Sequence, residues 1–165
     1  MNFLMVLISV ISINILSVDI NTVRKAYKEA AQDRTKVETF NNLLLKVTKK
    51  DEATLVAYKG AAIALLARQE KKVKDKKKLF IKGVSYVEHA IGKSSNNIEV
   101  HFVRLGIQEN TPKLLKYKGH IEEDKQFILK HFKDITSSNL RHYIKDYILQ
   151  SKAFSDEEKT VISNQ

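Results

Sequence analysis

The residue types that could do acid–base or metal chemistry are present in this chain but scattered. There are five histidines, His89, His101, His120, His131 and His142. No two of them stand four apart on a helical face, and no HExxH pattern occurs. A metal site would need donors converging from separate helices, so spacing indicates no metal ligands. The chain has no cysteine, which excludes disulfides, thiolate metal sites and cysteine nucleophiles. Glu122, Glu123 and Asp124 form an acidic run. They fall in the first turn of an expected helix, where the helix dipole favours negative charge. No nucleophile elbow, phosphate-cradling glycine loop or dinucleotide fingerprint is present. No catalytic set is expected, and no cofactor.

One polar constellation stands out. His101, Arg104 and Gln108 recur at spacings of three and four, which stacks them on one side of a helix. Asn110 lies just beyond, and Tyr58 and Lys59 sit on another expected helix. Two readings are open. These groups line a groove and bind a ligand carboxylate or a peptide backbone, or they satisfy carbonyls at neighbouring helix ends or simply face solvent. Tyr143 and Tyr147, four apart, fit a core face better than a ligand platform.

The elements that would position these residues are helical. Ala53 to Ala67 is small or apolar on nearly every side, the pattern of a helix buried all round. Gly60 within it costs roughly 0.5–1 kcal/mol against alanine, so a close helix–helix contact is expected there. A second helix is expected from Asp75 to Ile91, with Leu79, Gly83, Tyr86, Val87 and Ala90 inward and Gly92 as its stop. The polar turn Ser94-Ser95-Asn96-Asn97 can cap a third helix from Ile98, which carries the stripe.

Upstream, Val23, Ala26, Tyr27, Ala30 and Ala31 have helical spacing. Thr35 with Glu38 reads as a capping box opening a helix through Phe40, Leu43, Leu44 and Val47. These two pack as an antiparallel hairpin beside the central helix. Downstream, Thr111-Pro112 opens a short helix stopped by Gly119. Ile121 to Phe132 follows, then a helix capped by Ser137 or Ser138. A last short, polar, fraying segment opens at the capping box Ser155–Glu158. No strand pattern and no linker appear.

Residues Phe3 to Val18 are apolar apart from scattered Ser and Asn, and uncharged, too short for a span of about 20 residues but suited to a secretory h-region. Residues 1–18 are therefore expected to be a signal peptide and residues 19–165 one all-helical domain in the periplasm or outside the cell. No charged side chain precedes Asp19, so cleavage leaves the formal net charge at +10. Such a balance allows weak contact with an anionic membrane surface. The lysine run from Lys71 to Lys78 has no interleaved aromatic residue, hence no platform for base stacking, and nucleic acid is not an expected partner.

The runs LVAYKGAAIAL (Leu55 to Leu65), FIKGV (Phe80 to Val84), NNIEVHFVRLGIQENTPKLLKY (Asn96 to Tyr117) and IEEDKQFI (Ile121 to Ile128) resemble a family of exported tetratricopeptide-like proteins of Bacteroidetes-type bacteria that has no assigned activity. Tetratricopeptide repeats recur about every 34 residues as helix–turn–helix. Gly60 and Gly106 occupy similar settings too far apart for that period, so the resemblance implies a degenerate, lengthened version. The fold expected is all-α, a compact stack of antiparallel helical hairpins. The expected function is a non-enzymatic module that binds a protein or peptide partner. The alternative is a small-ligand protein or enzyme with a polar pocket around Arg104.

Overall fold

The computed structural model describes residues 18–165. The expected signal peptide falls almost wholly outside the described residues. Eight α-helices follow in order: α1 (Ile20–Gln32), α2 (Val37–Leu43), α3 (Ala53–Ala67), α4 (Val73–Lys93), α5 (Ile98–Asn110), α6 (Ile121–His131), α7 (Ser138–Gln150) and α8 (Asp156–Ser163). Among the described residues there is no strand. Consecutive helices pair as hairpins, α1 with α2, α3 with α4, α5 with α6 and α7 with α8. The fold is thus the all-α stack of hairpins that the periodicities imply. No helix among the described residues is long and apolar enough to cross a membrane.

Helix α3 is the centre. Every residue in it except Leu55 and Leu66 is buried, and it packs on α1, α2, α4 and α5. Its small residues set how closely α4 can approach. A Cβ on Gly60 would lie 2.6 Å from the Gly83 carbonyl oxygen and 2.6 Å from Val87 Cγ2, and one on Gly83 would lie 2.7 Å from the Gly60 oxygen. The two backbones touch with no side chain between them, so α3 and α4 form the tightest hairpin. Asn97 accepts from the Glu99 and Val100 amides and donates to Thr54 Oγ1 at 3.0 Å. That cap fixes the start of α5 against the start of α3.

Several local expectations differ from the structure. The Thr35–Glu38 capping box does not form, because Asp33 takes both the Thr35 amide and hydroxyl at 2.8 Å. A 3-10 turn (Arg34–Lys36) results, and α2 then begins with no side-chain cap. Helix α4 starts before Asp75, so most of the lysine run lies on its first turns. It also runs past Gly92 to Lys93, with the Lys93 ammonium bound to the Lys50 and Asp51 carbonyls. The Thr111-Pro112 segment makes only a 3-10 turn (Lys113–Leu115), closed by Lys116 in the left-handed region at φ 51°. Thr111 instead donates back to the Ile107 carbonyl at 2.7 Å. Helix α8 keeps its Ser155–Glu158 capping box and docks on α7 with Ile162 buried, so it is a packed element and not a fraying tail.

Candidate functional site

Helix α5 carries the chemistry on two opposite faces. Residues 101, 104 and 108 point to one side, and 102, 106 and 109 to the other, as 3.6 residues per turn requires. The first face meets α6. There Asp124, fully buried, accepts from Arg104 Nε at 2.9 Å and Nη2 at 2.7 Å, from Gln108 Nε2 at 2.7 Å, and faces His101 Nδ1 at 2.7 Å. The other imidazole nitrogen faces the Ser95 carbonyl at 2.9 Å, and the ring stacks on Phe127. Arg104 reaches Glu123 at 2.8 Å and Glu88 at 3.4 Å, both more exposed. Burial works against the Arg104 charge, but the Asp124 carboxylate outweighs it with help from Glu123 and Glu88, and holds the guanidinium above its ordinary range. Gln108 also accepts from the His120 amide at 2.8 Å, so it ties the start of α6 to α5.

The predicted stripe therefore converges, but on a carboxylate of this chain. Asp124 is the residue that sequence reasoning missed. An acid in a helix first turn reads equally well as a dipole partner; the signal that could have found it is its spacing, three residues after Ile121 and four before Ile128, which places it on the apolar face of α6. His101, Glu123 and Asp124 place donor atoms within 4.8 Å of one another, a plausible cluster for a cation. The Arg104 guanidinium already sits among those carboxylates, so a metal ion would have to displace a bidentate ion pair.

A second buried ion pair lies at the other end of α5. Arg24 of α1 binds Glu99 through Nε and Nη2, both at 2.7 Å, and Tyr58 donates to the same carboxylate at 2.7 Å. Arg24 also donates to Asn139 of α7 at 3.2 Å. The Glu99 partnership, opposed by burial, raises the Arg24 pKa. Tyr58 thus joins α1, α3 and α5 and does not share the Asp124 cluster. Lys59 belongs to neither cluster. It is buried on α3 with no ion-pair partner among the described residues, and burial, with Lys82 nearby, lowers its pKa.

The opposite face of α5 lines a cleft of about 670 Å³ between α1, α5 and α7. Phe102 forms part of its wall, in edge contact with Tyr143 and Tyr147 at centroid distances of 5.1 and 4.9 Å. Gly106 leaves the middle open. A Cβ there would meet only the Tyr27 hydroxyl, at 3.0 Å. Tyr27 is 9% exposed, and its hydroxyl has no hydrogen-bond partner among the described residues. No fully buried side-chain polar atom lacks a partner, so this hydroxyl must keep access to water, and the cleft it lines supplies it. Of the sequence candidates only Asn110 lines this cleft. It is exposed, and it donates to the Gly106 carbonyl at 2.8 Å. A Lys28–Asp146 bridge of 3.1 Å joins α1 to α7 beside the opening.

Searches of protein-family models, of curated proteins and of solved structures return no match for the chain.

Proposed function

We propose that the chain is a non-enzymatic, tetratricopeptide-like interaction module of the cell envelope that holds a segment of a partner protein in the cleft between α1, α5 and α7. One observation carries this reading: the hydroxyl of the largely buried Tyr27 has no partner among the described residues and opens onto an aromatic cleft at the position where α5 has a glycine. The fold leaves that hydroxyl to water, so a ligand group can take it up without breaking a hydrogen bond of the chain. The cleft falls within the range of about 300–1,000 Å³ typical of ligand sites. Export of the chain, and its membership of the exported helical family its sequence resembles, belong to the same proposal.

Gly106→Val tests it. The added Cβ meets only the Tyr27 hydroxyl, at 3.0 Å, and a small shift of that ring accommodates it, so the helical circular-dichroism spectrum should persist while the middle of the cleft is filled. Affinity capture from the host envelope fraction should recover a partner with the parent chain and lose it with Gly106→Val. A partner captured equally by both, and lost instead on neutralising Lys76, Lys77 and Lys78, would place binding on the charged surface and refute the cleft.

A further inference from the structure

Resting on that cleft reading, we propose that its ligand is an acidic peptide segment in which a carboxylate side chain neighbours an aromatic or large aliphatic one. The assignment follows from which charges in the cleft are already engaged. Its two carboxylates are occupied by this chain. Glu109 accepts from the Tyr147 hydroxyl, from Ser151 Oγ at 2.8 Å and from the Ala153 amide at 3.1 Å. Asp146 is paired with Lys28, with His142 Nε2 at 3.6 Å beyond it. A basic ligand would find no free anion there. The cations are less committed. Lys118 gives one hydrogen bond, to the Glu109 carbonyl at 3.0 Å. Neither Lys118 nor Lys152 has a carboxylate partner among the described residues.

The neutral part of the cleft selects the rest of the ligand. Phe102, Tyr143 and Tyr147 offer an apolar wall for one ring or branched side chain. The Tyr27 hydroxyl is a donor and acceptor for a backbone amide. Asn110 spends its Nδ2 on the Gly106 carbonyl, which leaves its side-chain oxygen for a ligand N–H. Burial, with Glu109 close by, raises the Tyr27 pKa, so the hydroxyl keeps its proton and does not repel an anion. The formal net charge of +10 adds a long-range attraction for acidic partners. A phosphate polymer fits less well. The dense lysine run is on α4, and among the described residues the cleft carries two ammonium groups without a carboxylate partner.

A glycine-flanked random heptapeptide library selected on the whole domain tests this. The enriched peptides should pair Asp or Glu with Phe, Tyr, Trp or Leu. An enriched peptide with both ends blocked should bind about tenfold more weakly to the Lys118→Ala/Lys152→Ala double variant, and its Asn/Gln analogue should lose a similar factor. Tyr27→Phe should weaken it by about three- to tenfold, the worth of one neutral hydrogen bond. Tyr27→Phe should keep the parent melting temperature, since its hydroxyl has no partner in the fold, and the double variant should lose only the little that the Lys118 hydrogen bond to the Glu109 carbonyl contributes. Neutral or basic peptides that are enriched and lost on Gly106→Val overturn the acidic assignment and leave the cleft reading standing. Peptides that bind Gly106→Val as well as the parent, or a library from which nothing is enriched, overturn both.

Discussion

Arg104→Ala should cost the fold dearly. The side chain is 3% exposed and meets a carboxylate with no exposure at all. Its contacts to Glu123 and Glu88 are to side chains 56% and 38% exposed, and pairs of that kind contribute little. The loss therefore falls on Asp124. After the substitution Asp124 keeps His101 and Gln108, both at 2.7 Å, and loses the charge that compensates its burial. Breaking a buried pair by removing one partner costs about 3–5 kcal/mol, and the two surviving donors favour the lower end. At roughly 2–4 °C per kcal/mol for a chain of this size, the melting temperature should fall by about 6–20 °C. Thermal unfolding followed by far-ultraviolet circular dichroism reads this directly. Asp124→Asn should cost a comparable amount, and the double variant Arg104→Ala/Asp124→Asn should cost well under the sum, because the two groups act as one unit. Glu88→Gln, at the exposed end of the same guanidinium, should shift the transition hardly at all. An Arg104→Ala protein that melts within about 2 °C of the parent would show that Arg104 is not structurally committed to Asp124, and would return it to the set of groups free for a ligand.

Gly60→Ala should destabilise the domain by about 1–3 kcal/mol in urea unfolding, because its Cβ would fall 2.6 Å from the Gly83 oxygen of α4; an unchanged midpoint would mean the two helices can part without cost. Lys59→Met should leave stability unchanged or raise it: burial lowers the lysine pKa, so the folded state disfavours the charge, a penalty that sets in as pH falls below the unfolded pKa of about 10.4 and is complete below the folded pKa. A clear loss of stability would show an anionic partner for Lys59. Burial raises the pKa of Tyr27, Tyr58, Tyr117, Tyr143 and Tyr147, reinforced by Glu109 at Tyr27 and Tyr147 and by Glu88 at Tyr117. Their contribution is intact below about pH 10, where unfolded tyrosine ionises. Above it the unfolded state binds fewer protons, and stability falls by up to about 1.4 kcal/mol per pH unit for each group. Tyrosinate absorbance should therefore appear together with loss of helix; gradual ionisation of a chain that stays helical would contradict their burial.

The all-helical class, the span of α3, the glycine contact and the Asn97 cap were legible in the sequence, because each rests on residues within one helix or one turn. Apolar and small residues on every side of Ala53 to Ala67 can mean little except burial. The stacking of His101, Arg104 and Gln108 was legible for the same reason, since helical geometry places them on one face whatever lies opposite. What lies opposite was not legible. Asp124 shares the apolar face of α6 with Ile121 and Ile128, which periodicity could place inward, but that Arg104 of α5 would stand opposite it depends on how the two helices pack. The α4 and α2 boundaries were misplaced where a distant or competing group acts: the Lys50 and Asp51 carbonyls on Lys93, and Asp33 on Thr35. The cleft was the least visible feature. Tyr27, Gly106 and Tyr147 read as ordinary core positions of three separate helices, and a cavity is the space those helices leave when α1 and α7 both lean on α5. Local periodicity states which side of a helix avoids water; it does not state what that side will meet, because that depends on contacts between residues far apart in the chain.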